Sequence, residues 1–173
     1  VQAYRIPALG TPDFYAVDML NRLLSSGNSS RLVKNVKDAE QKAVFVGSFS
    51  LPFEDPGLAI AFAVANMGVA PDSLEASMDR QFALVRDEAV PEDELTKLKV
   101  QIETEHAMDN NKMAGIANNL ANAYTFLGGT DKVNTEVDQY LAVSTADLQR
   151  VARKYFVPEN RVVLYYLPQN QKK

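Results

Sequence analysis

His106 is the only histidine in the chain, and there is no cysteine. Together they narrow the available chemistry sharply. Glu105 and His106 would supply the last two positions of an H-x-x-E-H zinc helix, but the first position is Ile102. One imidazole and one carboxylate leave a zinc ion short of the ligand that the preceding turn normally provides. His106 therefore reads as a helix-surface or interhelix residue. The lack of cysteine excludes disulfides, thiolate zinc sites, iron–sulfur clusters and cysteine nucleophiles. Two acidic clusters remain. Glu92-Asp93-Glu94 has the composition of a metal or acid/base site, yet a charged first helical turn favoured by the helix dipole accounts for it. Glu54-Asp55 lies between Pro52 and Pro56 and reads as turn chemistry. Ser25, Ser26, Ser29 and Ser30 flank Gly27 without forming a G-x-S-x-G elbow. Gly27-Asn28-Ser29-Ser30 ahead of a helix has the look of a phosphate cradle, but the GK[ST] of a P-loop is missing, so an N-cap is expected. Gly128-Gly129 reads as a helix stop.

These groups are positioned by elements that the spacing of apolar residues predicts. Residues 1–7 have strand character. Thr11 as N-cap with Pro12 at the first helical position begins a helix carrying Val17, Leu20, Leu23 and Leu24, which Gly27 ends. Residues 29–37 predict a second short helix with Leu32 and Val36 on one face. Residues 43–50 and 57–65 predict two strands in a hairpin. The second alternates Leu58, Ile60, Phe62 and Val64 with Ala59, Ala61, Ala63 and Ala65, so helices are expected on the bulky side and a close neighbour on the alanine side. From Pro71 the period becomes helical through Leu74, Met78, Phe82 and Val85. Pro91 opens a long helical stretch running toward Phe126. Ser144-Thr145-Ala146-Asp147 has the form of a capping box ahead of a further helix. Residues 161–168 predict a closing strand.

The predicted order gives an α+β fold: a two-layer sandwich, mostly antiparallel, with helices on one face. The chain of 173 residues, 46% hydrophobic and 23% charged, is expected to form one domain over residues 1–168 with a polar tail at 169–173. Eighteen basic against 22 acidic residues argue against a nucleic-acid partner. The longest apolar run, residues 58–65, is far short of the roughly 20 needed to cross a bilayer. Opening at Val1 inside strand-like sequence, without Met, predicts a piece of something longer.

The Gly27-Asn28-Ser29-Ser30-Arg31-Leu32 element after an amphipathic helix, the strand pair, the long helical stretch and the closing RVVLYYLP together resemble the C-terminal-type domain of the M16 zinc metallopeptidases. Pitrilysin, insulin-degrading enzyme and mitochondrial processing peptidase are members of that family. The resemblance covers nearly the whole chain and implies a LuxS/MPP-like metallohydrolase fold. It also implies that zinc and the H-x-x-E-H motif belong to another domain, in the same polypeptide or in a partner subunit, with no cofactor in this chain. In the family, an Arg and a Tyr seven positions apart follow the S-R-L element and contact substrate near the zinc. The matching positions here are Lys37 and Val44, which lack the planar guanidinium fork and the hydroxyl that would steady an oxyanion. The resemblance thus implies a non-catalytic domain that supports a peptide-hydrolysing neighbour and walls its chamber, in a bacterial and preferentially periplasmic setting. The alternative is a structural or peptide-binding subunit of the same fold, strand addition at a sheet edge being one form of it. The alanine face, or the aromatic set Tyr4, Phe45 and Phe49, is expected to meet the neighbouring domain.

Overall fold

A computed structural model describes residues 1–167. Its sheet has four antiparallel strands, β1 (Gln2–Ile6), β2 (Ala43–Leu51), β3 (Gly57–Ala65) and β4 (Arg161–Val163), in the order β2-β3-β1-β4. The hairpin of β2 and β3 is therefore one edge and β4 the other. Between strands run α1 (Pro12–Ser25), a π-helix (Val33–Ala39), α2 (Pro71–Asp87), α3 (Glu92–Asp109), α4 (Met113–Phe126), α5 (Glu136–Leu141) and α6 (Thr145–Tyr155). Helices α1, α2 and α6 pack on the sheet, and α3 and α5 pack against α1. The result is the α+β architecture that the element order implies.

The core lies between sheet and helices. Met19, Leu20 and Leu24 of α1, Phe82 and Val85 of α2, and Leu148 and Val151 of α6 are buried, as are Tyr4 and Ile6 of β1. Tyr4, Phe82 and Phe156 form a ring cluster with centroids 5.1–5.5 Å apart. Edge and offset contacts of this kind stabilise beyond the area they bury. The polar atoms at this end are tied together: the Tyr4 hydroxyl donates to Gln2 Oε1 (3.1 Å), and Gln2 Nε2 donates to Asp79 (2.8 Å). Arg161 reaches Asp79 and, at 2.9 Å, Glu75, which joins β4 to α2. Tyr4 is 1% exposed, so it is not part of an exposed aromatic set.

Several expectations are corrected. Ala59 and Ala61 are each 1% exposed and face the helices, while the bulky Leu58, Ile60, Phe62 and Val64 lie on the opposite side. Small side chains let the helix layer approach the strand closely, so the alanine side is the covered one. The stretch toward Phe126 is two helices, because the chain turns at residues 110–112 before α4 begins. The predicted short helix at 29–37 is a π-helix displaced to Val33–Ala39, with the Glu40 amide bonded to the Asn35 carbonyl. Leu32 and Val36 are nevertheless both fully buried, as their spacing requires. The α5 helix had no advance signal. The closing strand is regular only over Arg161–Val163; its predicted end at Pro168 and the tail lie outside the described residues. Thr11 precedes α1 without a side-chain cap, its hydroxyl donating instead to the Ala8 carbonyl (2.7 Å), and Pro12 starts the helix as expected. The Ser144–Asp147 capping box is complete in both directions.

Candidate functional site: the open face of the sheet

The strand partners decide which residues share the uncovered face. Residues paired across an antiparallel ladder point the same way. Phe45 pairs with Val64, Gly47 with Phe62, Phe49 with Ile60 and Leu51 with Leu58, all on the side away from the helices. On the covered side, Val46 pairs with Ala63, Ser48 with Ala61 and Ser50 with Ala59. There the two serines bond to Asn21 of α1: the Ser48 hydroxyl donates to Asn21 Oδ1, and Asn21 Nδ2 donates to Ser50 (2.8 Å). These bonds fix α1 over β2 and leave the aromatic side outward.

The open face is apolar. Phe45 is 54% exposed, Phe49 43%, Val64 55% and Val162 71%. Phe62 lies across the face between Phe45 (5.5 Å, stacked) and Phe49 (6.0 Å, edge-on). Gly47 gives the ring room: a Cβ there would sit 3.3 Å from the Phe62 ring. An apolar patch built from contiguous strand residues is characteristic of a contact surface.

The two positions matched above to the family's Arg and Tyr lie on the π-helix and at the start of β2. Lys37 is exposed on the π-helix, a helix type that recurs at functional sites. Val44 is the extra residue of a bulge, since Ala43 pairs with Ala65 and Phe45 with Val64, and it is 58% exposed. The turn between them is anchored to α2. Ser77 donates to Glu40 (2.6 Å), Lys42 donates to Ser77 (2.8 Å), and Arg80 donates to Glu40 (2.9 Å). Burial alone would raise the Glu40 carboxyl, but the bonds from Ser77 and Lys42 and the nearby Arg80 outweigh it and hold it below the usual carboxylate range. Neither Lys37 nor Val44 can polarise a carbonyl as a hydrogen-bonded guanidinium and phenol pair would. The π-helix and the bulge had no visible signal in the sequence.

The other sequence candidates are structural. His106 pairs with the Asn110 amide (2.9 Å) on its own helix. Glu105 accepts from Arg22. Glu94 accepts two bonds from Arg31 (both 3.1 Å), and Glu92 accepts from Thr145 (3.2 Å). Glu54 and Asp55 are exposed in the turn between β2 and β3. The Ser30 hydroxyl caps nothing. Among the described residues no group of three or more His, Cys, Asp or Glu is placed to hold a metal ion, and no helix is long and apolar enough to cross a membrane.

The class that the fold and this face define is an α+β domain whose sheet is covered by helices on one side and presents an apolar face on the other. The chain is a member of the peptidase M16 inactive domain family, whose model matches residues 1–102. It is 24% identical over 165 residues to the zinc protease PqqE of Helicobacter pylori, covering 95% of this chain and 37% of that protein. It thus spans little more than a third of the curated relative it matches. A solved structure of a candidate zinc protease from Bordetella pertussis superposes with a TM-score of 0.85 at 25% identity, covering 97% of this chain and 91% of that one. The inactive peptidase domain solved from Bordetella parapertussis gives 0.79 at 23% identity over 97% and 91%.

Proposed function

We propose that this chain is the zinc-free supporting domain of an M16-type zinc endopeptidase that hydrolyses peptides. Its open sheet face, centred on Phe45, Phe49 and Phe62, meets the H-x-x-E-H domain and walls the substrate chamber. The observation that carries this reading is the contiguous apolar face on a member of the inactive-domain family. Water activated on the neighbouring domain's zinc would attack the scissile carbonyl. The residues of this chain would exclude bulk water, orient the neighbouring domain and bound the space open to substrate. Lys37 and Val44 stand at the substrate-side corner without a catalytic part.

The test is to express the chain with its H-x-x-E-H-bearing domain and compare the wild type with Phe45→Asp and Phe49→Asp. The reading expects both variants to fold normally while co-purification and peptide turnover fall at least tenfold. Unchanged assembly and turnover would overturn it. Lys37→Ala is expected to leave turnover within a few-fold. A hundredfold loss, about 2.7 kcal/mol of transition-state stabilisation, would mean that Lys37 acts on the substrate.

One observation favours a second reading, a peptide-binding subunit. β2 is an edge strand of nine residues that pairs only with β3. Its free amides and carbonyls could accept an extended peptide by strand addition. Peptide binding to the chain alone, in the absence of any H-x-x-E-H domain, would favour that reading.

A further inference from the structure

Helix α4 is almost uncovered among the described residues. Only the row Gly115, Asn119 and Ala123 turns toward the domain, and every other residue of the helix is exposed. Beside that row run Met113 (89% exposed), Ile116 (39%), Leu120 (39%) and Tyr124 (73%), three or four residues apart and so on one face. None of the 14 residues is charged. A helix that meets only water carries charge on its outer face, whereas Met and aromatic residues without charge are the composition of a protein contact. The sequence does not hold the helix by itself either. Gly115, Asn118, Asn119, Asn122 and Thr125 are poor helix formers, and Lys112 supplies no side-chain cap. Such a helix draws its persistence from packing, and the packing within the domain is slight. It rests mainly on the 3-10 turn that follows it, Thr130–Asn134, and Asn119 donates to Asn110 beyond the end of α3 (3.1 Å). A cavity of about 390 Å³ remains where Phe126 and Leu127 face Phe14 of α1 and Phe53 of the β2–β3 turn.

Area and placement choose the occupant. A helix of this length is about 21 Å long and about 10 Å across, a footprint far below the roughly 800 Å² per partner that a stable pair of proteins buries. It is too small to hold a second copy of this chain, but sufficient as a further contact for a neighbour already held elsewhere. Phe53, 50% exposed, links the cavity to the open sheet face, two residues beyond Leu51 at the margin of that face. A body seated on the face therefore reaches α4 round the end of the hairpin. In the curated relative the greater part of the polypeptide lies outside the matched domain, which provides such a body. We propose that the exposed stripe of α4 is a second docking surface for the H-x-x-E-H domain, and that this contact orders the helix. The proposal rests on the reading of that domain as the partner of the open face.

The test measures amide hydrogen exchange in the chain alone and in the chain co-expressed with its H-x-x-E-H domain. In the chain alone, residues 113–126 are expected to exchange at least tenfold faster than α1 and α2, and assembly is expected to slow them at least tenfold. Leu120→Asp and Tyr124→Asp are expected to leave the unfolding midpoint of the chain unchanged, to abolish that slowing and to weaken co-purification at least threefold. Slow exchange in the chain alone, exchange that assembly does not slow, or slowing that both variants leave in place would overturn the proposal. Protection that grows with the concentration of the chain alone would give α4 to a second copy and overturn it as well. The two readings fail separately. Assembly lost in Phe49→Asp but intact in both α4 variants strikes the role of α4 alone, while full assembly in all three strikes that of the open face with it.

Discussion

A guanidinium at position 61 would enter the layer between β3 and the helices, where Ala61 is 1% exposed and pairs with Ser48. Buried charge without a partner and overpacking both oppose it. Ala61→Arg is therefore expected to unfold the domain, at a cost of more than about 4 kcal/mol, the range reached only by such mechanisms. Urea denaturation checks this, and a stable variant with altered association would place Ala61 on the outer face. Gly47 acts in the opposite direction, on the open side. Its missing side chain leaves room for the Phe62 ring, so Gly47→Ala is expected to shift that half-exposed ring by a few tenths of an ångström and to change stability by less than about 1 kcal/mol. Gly57 is more constrained: a Cβ there would stand 2.4 Å from the Leu51 carbonyl oxygen across the hairpin, a contact that only backbone movement could relieve.

At the scale of elements, α6 is held to the start of α1 by Asp13. This carboxylate accepts from Arg150 (2.6 Å), Lys154 (2.9 Å) and Tyr155 (2.8 Å). Burial by itself would raise its pKa, but those donors outweigh burial and bring it down to about 2 from the usual 3.8. A carboxyl whose folded pKa is depressed contributes stability that is fully present above its unfolded pKa and is lost as pH falls through the folded one. The clamp is thus intact above about pH 5 and weakens between about pH 4 and 2. Thermal melts of Asp13→Asn are expected to show about 1–2 kcal/mol lower stability at neutral pH, converging with wild type near pH 2. At the other end of the same contact, Ser144→Ala removes the capping box and is expected to cost about 1 kcal/mol.

Much of this element layout is legible in the sequence because it follows local rules. Pro12, Pro71 and Pro91 mark helix starts, Ser144 and Asp147 mark a cap, and the periods of two and three-to-four separate strands from helices. Two features are not local. Strict alternation in β3 reveals two faces but not which one the helices cover. That depends on how closely α1 must approach, and the hydrogen bonds that join Asn21 with Ser48 and Ser50 decide it. The π-helix likewise depends on the anchoring of Glu40 by Ser77 and Arg80, residues about 40 positions further on. Of the candidate site, the absence of a complete zinc motif and the exposed Phe45 and Phe49 were readable. The burial of the alanine face and of Tyr4 is not legible for the same reason, since the face and not the residue type sets exposure.

For the whole molecule, helices α1, α2 and α6 cover one side of the sheet and leave the other uncovered. One consequence is that the apolar residues with nowhere to go collect on the other side, in a row running from Phe45 and Phe49 through Phe62 and Ile60 toward Val162. A second apolar exposure belongs to α4, which buries only Ala123 and leaves Ile116, Leu120 and Phe126 partly open. The central claim is that the open sheet face, and no catalytic group of this chain, is what the chain contributes to peptide hydrolysis. The most direct measurement compares peptide turnover by the assembled H-x-x-E-H domain and this chain for wild type, Phe49→Asp and Lys37→Ala, with unfolding midpoints taken alongside. The account predicts that Phe49→Asp loses assembly and turnover together at an unchanged midpoint while Lys37→Ala stays within a few-fold of wild type. Full turnover in Phe49→Asp, or a hundredfold loss in Lys37→Ala with assembly intact, would contradict it.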